Sequence, residues 1–425
     1  MSKTRNSSNN TPFTAYQKLV IPILAIVQFT VVLDFMVMAP LGDMLMKTMK
    51  LNASQFAAAV SAYAFSAGIS GLLAAGFADK FDRKKLLLFF YSGFIMGTFV
   101  CAMASTYHML MIGRIVTGIF GGVLGSISFA IVADLFSFDQ RGRVMGFVQM
   151  AFAISQVGGI PVGLYLANRF GWEAPFFLIV GLSILTAMVI IRFLKPVVTH
   201  MERKLAVNPV QHLRKTISNR EYQLPFVTTA LLSIGGFMMM PFSTPFIINN
   251  LHISQLSLPL IYVITGIGSM VTLPLIGKLS DRVGKYPTFV GGSILAIIMV
   301  FIYTNLSPIP IWELIVINMV MFAGIMSRMI PATALMTAIP ALEDRGAFMS
   351  INSSLQQVAG GIASVIAGLI IYQQPNGNLQ HFNTLGYVTI SVMIVCIFLI
   401  YIINNRVAVK VNPSIQMPPS ELASV

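Results

Sequence analysis

Charge is scarce in this chain of 425 residues. Asp, Glu, Lys and Arg make up only 10% of it, and 14 acidic residues stand against 27 basic ones. Soluble domains carry about 25% charged residues, so the deficit excludes the two or three soluble domains that the length would otherwise suit. Cysteine is nearly absent too. Cys101 and Cys396 both fall inside apolar runs and read as small core residues, not as a disulfide or a metal site. All five histidines (His108, His200, His212, His252 and His381) fall in expected loops, which leaves a histidine proton relay without support. The chain has no nucleotide-binding glycine loop with Lys-Ser or Lys-Thr, no metal-ligand spacing and no Ser-His-Asp set. An enzyme, or an ATP-driven pump made by this chain alone, therefore has no residues to carry it, and no metal or organic cofactor is expected. The first 16 residues are polar and lack the apolar core of a signal peptide.

Hydrophobic length is what the chain has instead. It is 56% hydrophobic, with a mean hydropathy of +0.81. Apolar stretches of about 20 residues, each long enough to cross a bilayer core of about 30 Å, recur twelve times. Their expected spans are 18–41, 53–77, 84–104, 109–134, 142–167, 173–194, 222–248, 256–277, 287–305, 310–338, 345–371 and 382–404. A polar linker at 195–221 divides them six and six. The chain thus parses into a polar tail (1–17), a first bundle (18–194), the linker, a second bundle (222–404) and a polar tail (405–425).

Where the basic residues fall fixes an expected orientation. With the N-terminus inside, cytoplasmic segments hold 22 of the 27 Lys and Arg, and the outside loops only Lys47, Lys50 and Arg169. Arg114 and Arg328 lie within helices. Both termini are therefore expected in the cytoplasm, and the excess of +13 reads as a topology and headgroup signal, not as nucleic-acid binding. The halves also echo each other. Asp79-Lys80-Phe81-Asp82-Arg83-Lys84 follows the second stretch and Asp281-Arg282-Val283-Gly284-Lys285 the eighth. Arg141-Gly142 after the fourth stretch matches Arg345-Gly346 after the tenth. A parallel repeat of about 200 residues means two related six-helix bundles with a substrate cavity between them near the midplane.

One acid stands apart. Asp34 is the only charged residue between Lys18 and Asp43, and a charge at the centre of a membrane helix costs about 2.5–3.5 kcal/mol on insertion scales, which marks a functional site. It lies about seven residues from the outer end of its stretch, roughly 10 Å deep, and Arg114 lies roughly 8 Å deep on the fourth. Comparable depth makes an ion pair feasible, with Arg328 or water as the alternative partners. Asp134 reads as structural, within reach of water or Arg143, while Asp43, Glu173 and Glu313 map to hydrated outer boundaries. Arg328, near mid-bilayer with no acid nearby in sequence, has three readings: a cavity group for anionic substrates, a partner across the interface, or a purely structural bond inside the bundle. Polar residues that could line the cavity are Gln28, Gln149, Gln156, Asn318, Asn352 and Gln356, joined by the flexible Met38 and Met239. Pro241 and Pro245 should break or bend the seventh stretch.

Four motifs carry a resemblance to the major facilitator superfamily across essentially all twelve stretches. The loop signature G-x-x-x-D-R-x-G-R-K is matched by Gly277, Asp281, Arg282, Gly284 and Lys285. Its first copy keeps Asp79, Arg83 and Lys84 but has Ala75 and Asp82 at the glycine positions. Arg114-Ile115-Val116-Thr117-Gly118 is similar to the R-x-x-x-G signature. Gly159-Ile160-Pro161-Val162-Gly163 resembles the antiporter signature in a variant form. Leu33-Asp34 with Val37 and Pro40 resembles the first-helix signature of drug:proton antiporters, and the junction around Trp172, read as an interfacial anchor, resembles the branch of bacterial drug and sugar efflux permeases.

The resemblance implies an all-α membrane protein of twelve transmembrane helices in two pseudo-symmetric six-helix bundles. It also implies loops that latch the halves on the cytoplasmic face, with Asp79, Arg83, Lys84, Gly277, Asp281 and Arg282 as gating residues beside Gly159, Pro161 and Gly163. The expected function is proton-coupled export of small amphipathic or drug-like molecules by alternating access in the cytoplasmic membrane. Asp34 and Arg114 would couple the proton, and the protein would work as a monomer whose partners are its substrate and the lipid. The rival expectations are a dedicated exporter of a sugar, siderophore or other anionic metabolite, and an uncoupled facilitator.

Overall fold

Thr14 and Gln17 fix where the first helix starts. Gln17 N donates to Thr14 Oγ1 at 3.2 Å and Thr14 N to Gln17 Oε1 at 3.0 Å, a reciprocal cap that satisfies two otherwise orphaned backbone donors. The computed structural model describes residues 13–74, 81–198, 209–341 and 344–411. Its first half holds α1 (Ala15–Val37), α2 (Gly42–Thr48), α3 (Ala53–Ala74), α4 (Arg83–Ala102), α5 (Tyr107–Leu135), α6 (Phe138–Ile154), a π turn (Ser155–Gly159), α7 (Ile160–Phe170) and α8 (Ala174–Phe193). After α9 (Pro209–Ser218) the second half holds α10 (Arg220–Phe237), α11 (Met240–Asn249), α12 (Leu258–Val283), α13 (Lys285–Thr304), α14 (Ile311–Thr337) and α15 (Arg345–Ile370). The hairpin β1 (Tyr372–Gln373) and β2 (Leu379–Gln380) and then α16 (Phe382–Val411) complete it.

Among the described residues, twelve helical spans are long and apolar enough to cross a membrane, each answering one expected stretch. The fifth is broken by the π turn and the seventh at Met238-Met239, just before Pro241, whose ring cannot continue the ladder. Boundaries move where local chemistry says so. The cap at Thr14 starts α1 before the expected bundle edge, Asn219 caps α10 through Glu221 N, and α16 runs past 404 to Val411. Two histidines expected in loops are helical: His108 sits in the first turn of α5 and His212 in α9. The turn between α12 and α13 needs Gly284, whose φ of +105° is costly for a residue with a Cβ. Apolar side chains such as Phe89, Met96, Leu185 and Phe398 are exposed on the outside of the bundles, as a lipid-facing surface requires.

In the first half α4 lies on α5 and α8, and α1 on α6 and α8; in the second, α13 lies on α14 and α16, and α10 on α15 and α16. The halves meet along α3 and α15, and where α12 crosses α7 and the π turn. On the face away from the termini, the distal face, they close tightly. Ser54 Oγ donates to Gly368 O at 2.8 Å, Gln255 Nε2 to Asn168 Oδ1 at 3.1 Å, and Asn249 Nδ2 to Asp43 Oδ1 at 2.6 Å. On the terminal face α6 and α12 part. A Cβ added at Gly142, Gly146 or Gly277 would meet nothing within 4 Å, and Gln149 and Lys278 are exposed.

Candidate functional site

Asp34 sits in the last turn of α1 and Arg114 in the third turn of α5. Arg114 Nη1 donates to Asp34 Oδ2 at 2.8 Å, and both side chains are 0% exposed. Thr98 of α4 donates from Oγ1 to Asp34 Oδ1 at 3.3 Å, and the guanidinium carbon lies 4.7 Å above the ring of Tyr63 on α3. Four helices therefore hold one ion pair. Glycines make the approach possible: a Cβ at Gly97 would lie 2.6 Å from Thr117 N, and one at Gly113 would lie 2.6 Å from Cys101 Sγ. Nε and Nη2 of Arg114 are buried without a protein hydrogen bond, so much of its donor capacity is unspent. Of the three partners open to Asp34 in the sequence, the fold selects Arg114. A carboxylate so placed gains or loses its ion pair with a single proton, and the desolvated arginine feels the change strongly.

The segment that resembles the antiporter signature packs on the same stretch of α1. A Cβ at Gly159 would lie 2.7 Å from Leu33 Cδ1, and one at Gly163 would lie 3.2 Å from Val37 Cγ2, so the glycines bring the π turn and α7 against residues near Asp34. Pro161 lies in the first turn of α7, and Ser155 Oγ in the π turn donates to Phe29 O at 3.3 Å. A further line of contacts leads from the ion pair to the interface between halves. Tyr63 lies 5.4 Å from Phe35, and Phe35 meets Phe237 of α10 edge to face at 6.0 Å.

Around that aromatic contact lies a small cavity of about 10 Å³, lined by Phe35, Val60, Phe237, Met240, Gln357 and Ser364 among others. That is room for a water at most. None of the nine cavity candidates from the sequence lines it. Met38 and Met239 are buried, 0% and 8% exposed, beside the distal closure, and Asn318 is buried at 7%. Asn352 Oδ1 accepts from Thr229 Oγ1 at 2.5 Å and so ties α15 to α10. Gln149 is exposed on the parted face of α6, Gln156 lies in the π turn and Gln356 is half-buried. Gln28 Oε1 is buried without a partner. Arg328 belongs to the structural reading: it points into the second bundle, where Nε donates to Ser293 Oγ at 3.1 Å, and not into the cavity or toward Asp34. A groove of about 820 Å³ between Met103, Leu166, Phe170 and Phe177 lies on the outside of the first bundle, away from the pair.

Gating residues divide similarly. Asp79 lies outside the described residues. Arg83 Nε donates to Asp134 Oδ2 at 3.1 Å and Lys84 Nζ to Ile191 O at 2.9 Å, contacts that brace the first bundle internally. Asp281 and Arg282 stand exposed beside Gly277. Two expectations change. Trp172 is 2% exposed and packs edge to face on Phe176, so it is a core residue and not an interfacial anchor. Asp43 is 1% exposed, not hydrated, because α2 folds it under the distal closure against Asn249, with Lys47 Nζ donating to Oδ2 at 2.8 Å. Sequence position put Asp43 at a boundary; only the opposing half could bury it.

Comparison with known proteins agrees with this architecture. The family model described as Major Facilitator Superfamily matches residues 24–327 and 225–424. The chain is similar to the uncharacterized MFS-type transporter YbcL of Bacillus subtilis (strain 168), 24% identical over 388 residues, 91% of this chain and 97% of that one. It is 33% identical over 127 residues to multidrug resistance protein 3 of the same organism, 30% of this chain and 25% of that one. A probable sugar efflux transporter of Helicobacter pylori (strain G27) is 22% identical over 277 residues, 64% and 69% of the two chains. Among solved structures, a bacterial homolog to the human lysosomal transporter Spinster, inward-facing and occupied, superposes with a TM-score of 0.74 at 12% identity over 93% of this chain and 98% of that one. A mutant of the nucleoside transporter NupG gives a TM-score of 0.72 at 14% identity, covering 91% and 99%. These two likenesses concern the fold alone.

Proposed function

The chain belongs to the major facilitator superfamily, and from that premise we propose that it is a proton-coupled exporter of small amphipathic or drug-like molecules. It is a multi-pass membrane transporter, not an enzyme. The observation that carries the proposal is the fully buried pair of Asp34 and Arg114. Proton binding at Asp34 removes the negative member of the pair and frees Arg114 from it. The change passes through Tyr63 and Phe35 to Phe237 in the opposite half, and through Leu33 and Val37 to α7. Both routes end at surfaces where the two halves touch, so the charge state of one carboxylate biases which face is closed.

With the Lys and Arg asymmetry read as positive-inside, the terminal face is cytoplasmic and the closed distal face external. Asp34 then takes a proton from outside and releases it inward, and the inward proton gradient drives export. The protein acts as a monomer in the cytoplasmic membrane, with protons as coupling ion and no other cofactor. Similarity to multidrug resistance protein 3 over a quarter of its length supports the drug-like substrate class. The likeness to a probable sugar efflux transporter favours a second reading, a dedicated metabolite exporter, but the bond of Arg328 to Ser293 inside the bundle takes away the candidate cation for an anionic substrate. The deciding measurement is transport by Asp34→Asn in proteoliposomes with an imposed proton gradient. Loss of proton-driven efflux in a protein that still folds and binds substrate is expected; undiminished transport removes Asp34 from the cycle.

A further inference from the structure

Among the described residues, no acid pairs with the cation Arg328. It lies nine residues from the terminal end of α14, roughly 13 Å deep along the helix at ~1.5 Å per residue, and is 2% exposed. Among the described residues of the second half the acidic ones are Glu221, Asp281, Glu313 and Asp344, all at or near the ends of spans. Beside the guanidinium are Ser293 Oγ at 3.1 Å from Nε, the Phe289 ring 5.8 Å from the guanidinium carbon, and the buried thiol of Cys396. Nη2 is buried with no partner. The three neighbouring side chains come from α13 and α16, which pack on α14 within the second bundle.

We propose that Arg328, Ser293 and Cys396 hold a small inorganic monovalent anion of chloride size inside the second bundle, as a resident counter-ion. The donor set fits that ligand. Nη2 offers N–H, Ser293 keeps its own hydroxyl hydrogen after accepting from Nε, and Cys396 offers a weak S–H. Around Nη2 the site presents donors without a competing carboxylate. An isolated buried charge is far more costly than a paired one, and a monatomic anion neutralises the guanidinium in less space than any organic acid. Bound there, it joins α13, α14 and α16 at mid-depth and stabilises the second bundle without entering the transport cycle. This site is independent of the role given to Asp34.

The experiment is thermal unfolding of the purified full-length protein in detergent, with sodium chloride or bromide titrated against sodium gluconate at constant ionic strength. Wild type should gain several degrees saturably with either halide, and Arg328→Gln should lose the dependence. Crystals grown in bromide should show an anomalous peak within hydrogen-bonding distance of Nη2, a wild-type measurement that decides the matter should Arg328→Gln fail to fold. Equal melting in gluconate and halide overturns the proposal. So does halide dependence that survives in Arg328→Gln, or a water alone at the site.

Discussion

Asp43 of the first half and Asn249 of the second meet across the distal face at 2.6 Å, with the carboxylate 1% exposed and Lys47 on its other oxygen. Asn249 is held in place from behind, since its Nδ2 also donates to Pro245 O at 3.0 Å. The next residue, Asn250, exchanges two hydrogen bonds of 2.9 Å with Leu379 of the β hairpin. The link therefore ties α2 to a braced α11. It is a charged hydrogen bond that exists only while the distal face is closed.

Asp43→Ala should loosen that closure. Hydrogen bonds to charged groups contribute about 1.5–3 kcal/mol, enough to change the balance of open and closed states about tenfold or more. Spin labels at Thr48→Cys and Leu256→Cys, both exposed distal positions, should report a longer distance population in the Ala variant. The two native cysteines are buried and should stay unlabelled. An unchanged distance distribution would mean that the remaining distal contacts hold the face without Asp43.

Removing one member of the buried pair should destabilise more than removing both. Arg114→Gln leaves Asp34 uncompensated and should cost about 3–5 kcal/mol. Asp34→Asn with Arg114→Gln leaves no charge and should recover part of that loss. Thermal melting of the four proteins in a double-mutant cycle checks it. Strictly additive losses would deny the pair any energetic coupling, whatever its 2.8 Å geometry.

Tyr63 separates two contributions. Tyr63→Phe keeps a ring under the guanidinium and against Phe35, so proton-driven efflux should be retained. Tyr63→Leu removes the ring, and a desolvated cation–π contact of this kind is worth up to about 2 kcal/mol. The Leu variant should bind substrate but exchange it for protons more slowly. Equal rates in the two variants would exclude the aromatic route from Arg114 to Phe237.

Gly122 and Gly146 should respond oppositely to alanine. A Cβ at Gly122 would lie 2.4 Å from Ala67 O, so α3 and α5 must separate, and overpacking of this sort costs about 1–3 kcal/mol. A Cβ at Gly146 meets nothing within 4 Å, and alanine in a helix interior stabilises by about 0.5–1 kcal/mol over glycine. Melting temperatures should fall for Gly122→Ala and hold or rise for Gly146→Ala. A fall in both would place α6 against a neighbour on the terminal face.

The twelve spans, the six-and-six division and the break before Pro241 were legible in the sequence because bilayer thickness and backbone satisfaction act locally, on runs of about 20 residues. Asp34 was legible for the same reason: a charge in an apolar run is conspicuous wherever the run packs. The depths of Asp34 and Arg114 allowed their pairing, but depth is one coordinate of three. Azimuth around each helix is set by which glycines let neighbours approach, and Gly97, Gly113 and Gly118 do that only in the folded bundle.

The same missing coordinate explains the errors. Arg328 and Asn352 stood open between cavity and structural roles because hydropathy shows how deep a polar group lies and not which way it faces; packing turned one toward Ser293 and tied the other to Thr229. Asp43 read as hydrated because its burial comes from Asn249, 206 residues away in sequence. What the sequence determined by itself is which segments enter the membrane and which charges go with them, since that follows from each segment's own transfer cost. What the tertiary structure decided is partnership: Asp34 with Arg114, Asp43 with Asn249, Arg328 with Ser293. Those follow from contacts between helices, which no single helix encodes.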